Sequence, residues 1–149
     1  MLAVVEVLDP ARAGSLSTLN TIGPLYHQLL TYDYLARPVK LIPYAAEALP
    51  QVSADGRTYT LRIRSGLLFA PHPAFGGKAR ELVAQDFVYS AQRIADPANI
   101  SMSFANFEGL IEGLDELVGA ARREKRGLDY AAPIAGLKAL DARTLQVRL

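Results

Sequence analysis

The sequence predicts a mixed α and β (α+β) fold from three observations. The turn signal Asp55-Gly56 is followed by alternating apolar and polar residues over 58–64, the pattern of a half-buried antiparallel strand. A second alternation, over 144–149, follows Asp141-Ala142-Arg143. Between these hairpins, apolar residues recur at three- and four-residue spacing from Ala84, which is typical of an amphipathic helix. The chain therefore combines β-hairpins with helices.

The first third of the chain predicts a strand followed by a helix. Residues 2–8 are rich in Val and Leu and predict a strand, which Asp9-Pro10 ends because proline cannot donate to a ladder. A loop of small residues follows over 11–15. Apolar residues at helical spacing then predict an amphipathic helix over 16–30, kinked or restarted at Gly23-Pro24.

The next elements surround the first hairpin. Pro43 predicts a short helical turn over 43–49, which leads into a strand near residues 51–53. Beyond the hairpin, residues 66–69 predict another short strand. Residues 70–78 contain two prolines and two glycines, so we expect a loop there.

The second half predicts helices and a closing hairpin. In the helix that starts at Ala84, Asp86 in the first turn complements the helix dipole, and Asp96-Pro97 ends the element. Weaker helical patterns cover 104–110 and 114–123, and strands over 134–139 and 144–149 form the last hairpin. The apolar face of the helix comprises Phe87, Val88, Ala91, Ile94 and Ala95.

Composition excludes several classes of protein. Apolar residues make up 50% and charged residues 21%, which argues against disorder. Sixteen basic and fifteen acidic residues give a net charge of +1, too balanced for a nucleic-acid binder that relies on bulk charge. Without cysteine there are no disulfides or thiolate metal sites. No apolar run approaches the ~20 residues of a membrane span, and no signal peptide is visible at Met1-Leu2-Ala3-Val4.

The residues indicate no catalytic centre. His27 and His72 are the only histidines, and they lie far apart in the sequence, so a metal site lacks ligands at a workable spacing. No nucleophile elbow, phosphate-binding glycine loop or zinc-protease motif is present. The locally basic middle of the chain is interpreted as a solvated sheet face. We therefore predict no enzymatic activity, no metal and no cofactor.

Six collinear stretches resemble one known family. They are residues 29–33, 45–50, 52–66, 84–90, 93–97 and 136–145, which include Ala84-Gln85-Asp86-Phe87-Val88-Tyr89-Ser90 and Arg93-Ile94-Ala95-Asp96-Pro97. This series is similar to the N-terminal part of family 5 extracellular solute-binding proteins, the oligopeptide- and dipeptide-binding components of ABC importers. The resemblance implies part of the first lobe of a periplasmic-binding-protein type II-like fold, with β-hairpins packed against helices. We expect residues 1–149 to form that lobe fragment, with the second lobe absent.

The chain departs from the family pattern at two places in its middle. Val83 stands where members usually carry a Thr or Ser helix cap, which weakens that helix start by roughly 1 kcal/mol. The loop over 70–81 is longer than the short turn usual in the family, which indicates a subgroup feature.

The resemblance also implies a ligand site on two segments. The first is the loop after the first strand, where small residues let a ligand backbone approach closely; the alternative is a simple turn before a helix. The second follows Asp96-Pro97, and here Ser101-Met102-Ser103 replaces the Ser-Pro-Tyr of peptide-binding members, which leaves the peptide specificity open. The implied ligand-binding residues are Arg12, Ala13, Gly14, Ser15, Ser101, Met102, Ser103 and Phe104.

Function follows from the same resemblance. The implied role is capture of a solute, which we expect to be an oligopeptide, between two lobes, followed by docking on an ABC permease in the membrane. The implied location is periplasmic or extracytoplasmic, with any leader outside this sequence. The competing hypothesis is a cytoplasmic transcription regulator that carries the same domain behind a DNA-binding segment. The strand over 2–8 also presents an open edge, so we expect self-association.

Overall fold

A computed structural model describes residues 7–149 and confirms the mixed α and β fold. Short 3-10 turns separate several of the elements. They lie at Pro10–Arg12, Gly23–Leu25, Pro73–Phe75, Pro97–Asn99 and Met102–Asn106. The helices are α1 (Leu16–Ile22), α2 (Ala84–Ala95) and α3 (Leu114–Arg123), and the strands are β1 (Leu30–Tyr32), β2 (Leu41–Pro43), β3 (Gln51–Val52), β4 (Thr58–Arg62), β5 (Leu137–Ala139) and β6 (Thr144–Arg148).

The two predicted hairpins join in one antiparallel sheet with the strand order β3-β4-β6-β5. In the first hairpin, Gly56 adopts a φ of 71°, which the tight turn requires, and Asp55 Oδ1 accepts a hydrogen bond of 3.0 Å from the backbone of Arg57. β4 and β6 pair along their full lengths, so that Leu61 lies opposite Leu145 and both are buried. The predicted alternation is confirmed, because Leu61 is buried while Arg62 is exposed.

β1 and β2 form a separate two-stranded sheet, and two predictions in this region are wrong. The helix predicted over 16–30 ends at Ile22 and continues only as a 3-10 turn to Leu25, and Leu30 instead begins β1, which pairs with β2. The helical turn predicted over 43–49 is absent from the structure described there, because Pro43 is the last residue of β2. Proline fits a strand end as well as a first helical turn, and the pairing with Leu30 decides between them.

The core lies between the sheet and helices α2 and α3. The prediction for α2 is confirmed, with Val88 and Ala95 buried and Phe87 packed against them. Val83 has no side-chain oxygen to cap α2, but its backbone N–H donates to Asp86 Oδ2 at 2.9 Å, which supplies half of a capping box. The fully buried core side chains include Ile63, Ala84, Leu114, Val118, Ala121 and Leu145.

Three further segments differ from their predictions. The strand predicted over 66–69 is reduced to a single bridge between Leu68 and Glu81. The helical piece predicted over 104–110 is the shorter 3-10 turn Met102–Asn106, and the strand predicted over 134–139 begins only at Leu137. The strand predicted over 2–8 lies outside the described residues except for its last two positions, so its open edge stays a prediction. Within residues 7–149, no helix has the length and apolar character to cross a membrane.

Candidate ligand-binding site

Two Asp-Pro turns of the same design position the candidate site. Asp9 caps the 3-10 turn Pro10–Arg12, because its Oδ1 accepts a 3.1 Å hydrogen bond from the backbone N–H of Ala11. Asp96 caps Pro97–Asn99 in the same way, at 2.9 Å. In each turn, proline occupies a first-turn position whose N–H would have no helical partner. Each predicted ligand segment therefore begins at or just after a capped turn.

Arg93 of α2 connects the two turns. Its guanidinium forms an ion pair with the Asp9 carboxylate, and its backbone oxygen accepts a 2.8 Å hydrogen bond from the side-chain amide of Asn99. The hydrogen bond with Tyr89 and the neighbouring Asp9 carboxylate raise the pKa of Arg93, although partial burial opposes this. The guanidinium thus stays charged at every working pH, and both segments are fixed to one helix.

Asp96 attaches the second segment to the C-terminal part of the chain. Its carboxylate also accepts hydrogen bonds from Leu128 N at 3.0 Å and from the Tyr130 hydroxyl at 2.7 Å. Burial opposes ionisation of Asp96, but these hydrogen bonds outweigh it and lower its pKa below the usual value. Burial and the same contact with Asp96 raise the pKa of Tyr130 to about 12.

The structure brings the two predicted segments together at Gly14 and Met102. A Cβ atom built on Gly14 would lie 3.4 Å from Met102 Sδ, so the glycine backbone faces the thioether directly. Ala13, next to it, is buried, whereas 71% of Met102 is exposed. Gly14 and Met102 therefore form an open wall made of bare backbone and a flexible apolar side chain.

The other predicted residues of the first segment differ in what they offer a ligand. Arg12 is exposed at the end of its turn. Ser15 is the N-cap of α1, because its Oγ accepts from the backbone N–H of Thr18 at 3.3 Å and donates to Thr18 Oγ1 at 2.9 Å. The hydroxyl of Ser15 is thus engaged within the protein.

The second segment contains one polar side-chain atom whose hydrogen bonding is unsatisfied. Ser101 Oγ is buried and has no hydrogen-bond partner among residues 7–149. A buried hydroxyl without a partner costs free energy, so such an atom indicates a contact that a ligand or water completes. Ser103 is half-buried. Phe104 lies in the core with the Arg122 guanidinium 5.5 Å from its ring centroid, and it anchors the segment.

Ile100 directly precedes the second predicted segment and has a backbone conformation that the sequence did not indicate. It adopts a left-handed conformation, with φ 51° and ψ 44°, and closes the turn with a 3.3 Å hydrogen bond from its N–H to Pro97 O. A β-branched residue rarely takes this conformation, because its Cβ crowds the backbone. Its side chain is 86% exposed. Strain of this kind occurs most often at functional sites.

A cavity of about 490 Å³ lies next to the Asp9 turn, and Gly14, Ser101 and Met102 are not among the residues that line it. It opens between residues 8–11, Tyr26 and the exposed side of α2, where Tyr89 and Arg93 project. The Tyr26 hydroxyl closes one side through a 2.8 Å hydrogen bond to the backbone oxygen of Leu8. Residues 7–149 contain no group of three or more His, Asp or Glu side chains that could hold a metal ion.

Comparison with known proteins identifies the family. Residues 40–149 match the family described as bacterial extracellular solute-binding proteins, family 5 Middle. The chain belongs to this family. Most of the stretches on which the resemblance was recognised lie inside the matched residues, and the mixed helix-and-strand architecture agrees with the structures of other members.

Curated and solved members of family 5 resemble the chain at different lengths. Di/tripeptide-binding protein 2 of Pseudomonas aeruginosa is 40% identical over 96 residues, which are 64% of this chain and 17% of that protein. The periplasmic oligopeptide-binding protein OppA of Escherichia coli is 30% identical across 97% of this chain and 23% of its own length. The pheromone receptor PrgZ, solved for its mode of peptide binding, superimposes with a TM-score of 0.72 at 25% identity, over 97% of this chain and 25% of that structure.

The chain thus spans about a quarter or less of the length of these relatives. These three relatives are solute-binding proteins and not enzymes. Their names give no support to the transcription-regulator hypothesis.

Proposed function

We propose that this chain provides one wall of a peptide-binding site, as part of the first lobe of a two-lobed binding protein that delivers peptides to an ABC permease. The observation that carries the proposal is the meeting of the two ligand segments at Gly14 and Met102. The names of the relatives, which describe binding of dipeptides, tripeptides and oligopeptides, support the same class of ligand.

The chemistry of the wall suits a peptide backbone. An extended peptide presents N–H and C=O groups at every residue and needs close approach to find partners for them. Gly14 permits that approach because it is exposed and carries no side chain of its own. Met102 adapts to side chains of different shape because its thioether is flexible. This combination favours binding that depends little on peptide sequence.

The proposal includes capture without transformation of the ligand. The wall contains a hydroxyl, a thioether and bare backbone, and it pairs no nucleophile with a base among the described residues. We place the whole protein in the periplasm or another extracytoplasmic compartment, where relatives such as OppA work. Closure of the two lobes around the peptide would then present the loaded form to the permease.

A nuclear magnetic resonance titration tests the proposal on the chain itself. A tripeptide should shift the amide signals of Gly14, Ser101 and Met102, with weak affinity, on the order of millimolar, because one wall leaves the ligand largely solvated. The variant Gly14→Val places a branched side chain against Met102 and should weaken binding about tenfold, which is about 1.4 kcal/mol. Gly23→Ala is the matched control, since no atom lies within 4 Å of the added Cβ.

Three outcomes of this titration would contradict the proposal. Shifts confined to other surfaces would remove the site, and equal affinity of the Gly14→Val variant would remove Gly14 from it. Micromolar affinity of the isolated chain would contradict the one-wall account, because the site would then be enclosed by this chain alone.

A further inference from the structure

The loop between β1 and β2 exposes an unusual set of apolar side chains. We name residues 32–41 the tip loop. Within it, Tyr34 is 88% exposed, Leu35 82%, Val39 69% and Tyr32 66%. Exposed apolar residues that occur singly are ordinary, but a contiguous group on one projecting hairpin indicates an interaction surface.

Hydrogen bonds within the tip loop fix its shape. Asp33 N donates to Lys40 O at 2.8 Å and continues the ladder beyond β1 and β2. The Asp33 carboxylate accepts the backbone N–H of Leu35 at 3.0 Å. The Arg37 guanidinium donates to the backbone oxygens of Tyr34 at 3.2 Å and Ala36 at 2.8 Å. The apolar side chains therefore project from an ordered backbone, and a partner would not have to order the loop first.

The charges on the tip loop favour an anionic partner. Arg37 and Lys40 are both exposed, and neither forms an ion pair with any residue in the range 7–149. Asp33 is the acidic residue of the loop, and one of its carboxylate oxygens is occupied by the backbone of the loop. The tip loop thus carries two cations without an ion-pair partner among the described residues.

The size and chemistry of the tip loop fit a lipid surface better than a protein. A stable protein–protein interface buries about 800 Å² on each partner, which a single hairpin tip does not supply. At a bilayer surface, tyrosines occupy the headgroup level, leucine and valine enter the acyl boundary, and Arg and Lys meet the phosphates. The tip loop carries each of these groups within ten residues.

We propose that the tip loop docks on the surface of an anionic lipid bilayer. Leu35 and Val39 enter the boundary between headgroups and acyl chains, Tyr32 and Tyr34 lie at headgroup level, and Arg37 and Lys40 contact lipid phosphates. This interaction is peripheral and reversible, because four apolar side chains bury little area. It uses no residue of the proposed peptide site, so either proposal can fail without the other.

Vesicle flotation tests the proposal with the chain as it stands. The bound fraction should be higher on vesicles of phosphatidylcholine with phosphatidylglycerol than on phosphatidylcholine alone, by roughly fivefold for each cation, and added salt should lower it. The double variant Leu35→Ser with Val39→Ser should lose binding to both kinds of vesicle. The variant Lys40→Gln, which leaves the hydrogen bonds of Arg37 in place, should lower the preference for phosphatidylglycerol by roughly fivefold and leave binding to phosphatidylcholine unchanged.

Leu140→Ser is the matched control, because Leu140 is 53% exposed in a different turn and should leave binding unchanged. Circular dichroism establishes that each variant is folded. Absence of binding by the unaltered chain, or equal binding by the Leu35 and Val39 double variant, would overturn the proposal. Sedimentation that shows a dimer abolished by the same double variant would also overturn it and assign the tip loop to contact between copies of the chain.

Discussion

The N-terminal region (residues 7–44) and the helix-and-sheet region (α2, α3 and the four-stranded sheet) differ in how far their apolar side chains are exposed to solvent. In the region formed by α2, α3 and the four-stranded sheet, the core side chains include buried large apolar residues such as Leu114 and Leu145. In the first 44 residues, Leu16, Leu25 and the tip loop expose theirs. Burial of apolar area is the main source of folding free energy. We therefore expect the helix-and-sheet region to contribute most of the folding free energy.

The largest expected effect comes from truncating a leucine in each region. Leu114→Ala should lower the free energy of unfolding by about 3 kcal/mol, because Leu114 is fully buried and its removal leaves a cavity. Leu16→Ala should change it by less than about 0.5 kcal/mol, since Leu16 is 74% exposed. Urea denaturation measures both values. Equal losses for the two variants would contradict the expectation that the helix-and-sheet region contributes most of the folding free energy.

The two Asp-Pro turns give the next comparison. Asp96→Asn should destabilise by about 2 kcal/mol, because it disturbs a buried carboxylate that accepts from Leu128 and Tyr130. Asp9→Asn should destabilise by less than about 1 kcal/mol, because its ion pair with Arg93 is about one-third exposed. Thermal unfolding should show the larger loss of stability for Asp96→Asn. A larger loss for Asp9→Asn would contradict this ranking.

The lowered pKa of Asp96 also predicts a pH dependence. A carboxylate with a lower pKa in the folded state contributes stability that is present above its unfolded pKa of about 3.8 and is lost as pH falls through the folded value. Stability measured between about pH 5 and pH 2 should therefore fall less steeply in Asp96→Asn than in the unaltered chain. Parallel curves for the two proteins would show that Asp96 does not titrate in this way.

The smallest effect concerns strain at the candidate site. Ile100→Asn should raise the free energy of unfolding by about 1 kcal/mol, because asparagine tolerates the left-handed conformation better than a β-branched residue. Leu110→Asn, at another exposed apolar residue, should bring no such gain. Chemical denaturation compares the two. A loss of stability in Ile100→Asn would mean that the conformation of Ile100 is not strained.

Local patterns in the sequence were sufficient to predict the main elements of the helix-and-sheet region. The alternation around Leu61 and the helical spacing around Val88 each predicted the correct element, because burial on one side sets those periods. The pairing of β4 with β6 could not be predicted, since their register joins residues more than 80 positions apart. The helix predicted over 16–30 failed because Leu29 and Leu30 fit a helix as well as a strand, and pairing with β2 decides the outcome.

Less of the candidate site than of the fold could be predicted from the sequence. The resemblance named the two segments, and the structure brings them together at Gly14 and Met102. The link that holds them, from Arg93 to Asp9, spans 84 positions and leaves no local signal. The conformation of Ile100 was also invisible, because isoleucine is a residue that ordinarily avoids it. Long-range ion pairs and strained backbone therefore require the structure.

The most direct test of the peptide-binding account uses a tripeptide that carries a nitroxide spin label. Paramagnetic broadening decreases steeply with distance, so it locates a weakly bound ligand on the surface of the isotope-labelled chain. The account predicts the strongest broadening at the amides of Gly14, Ser101 and Met102, with little effect at Gly56 in the first hairpin. Broadening that is strongest at Gly56, or equal at all of these amides, would contradict it.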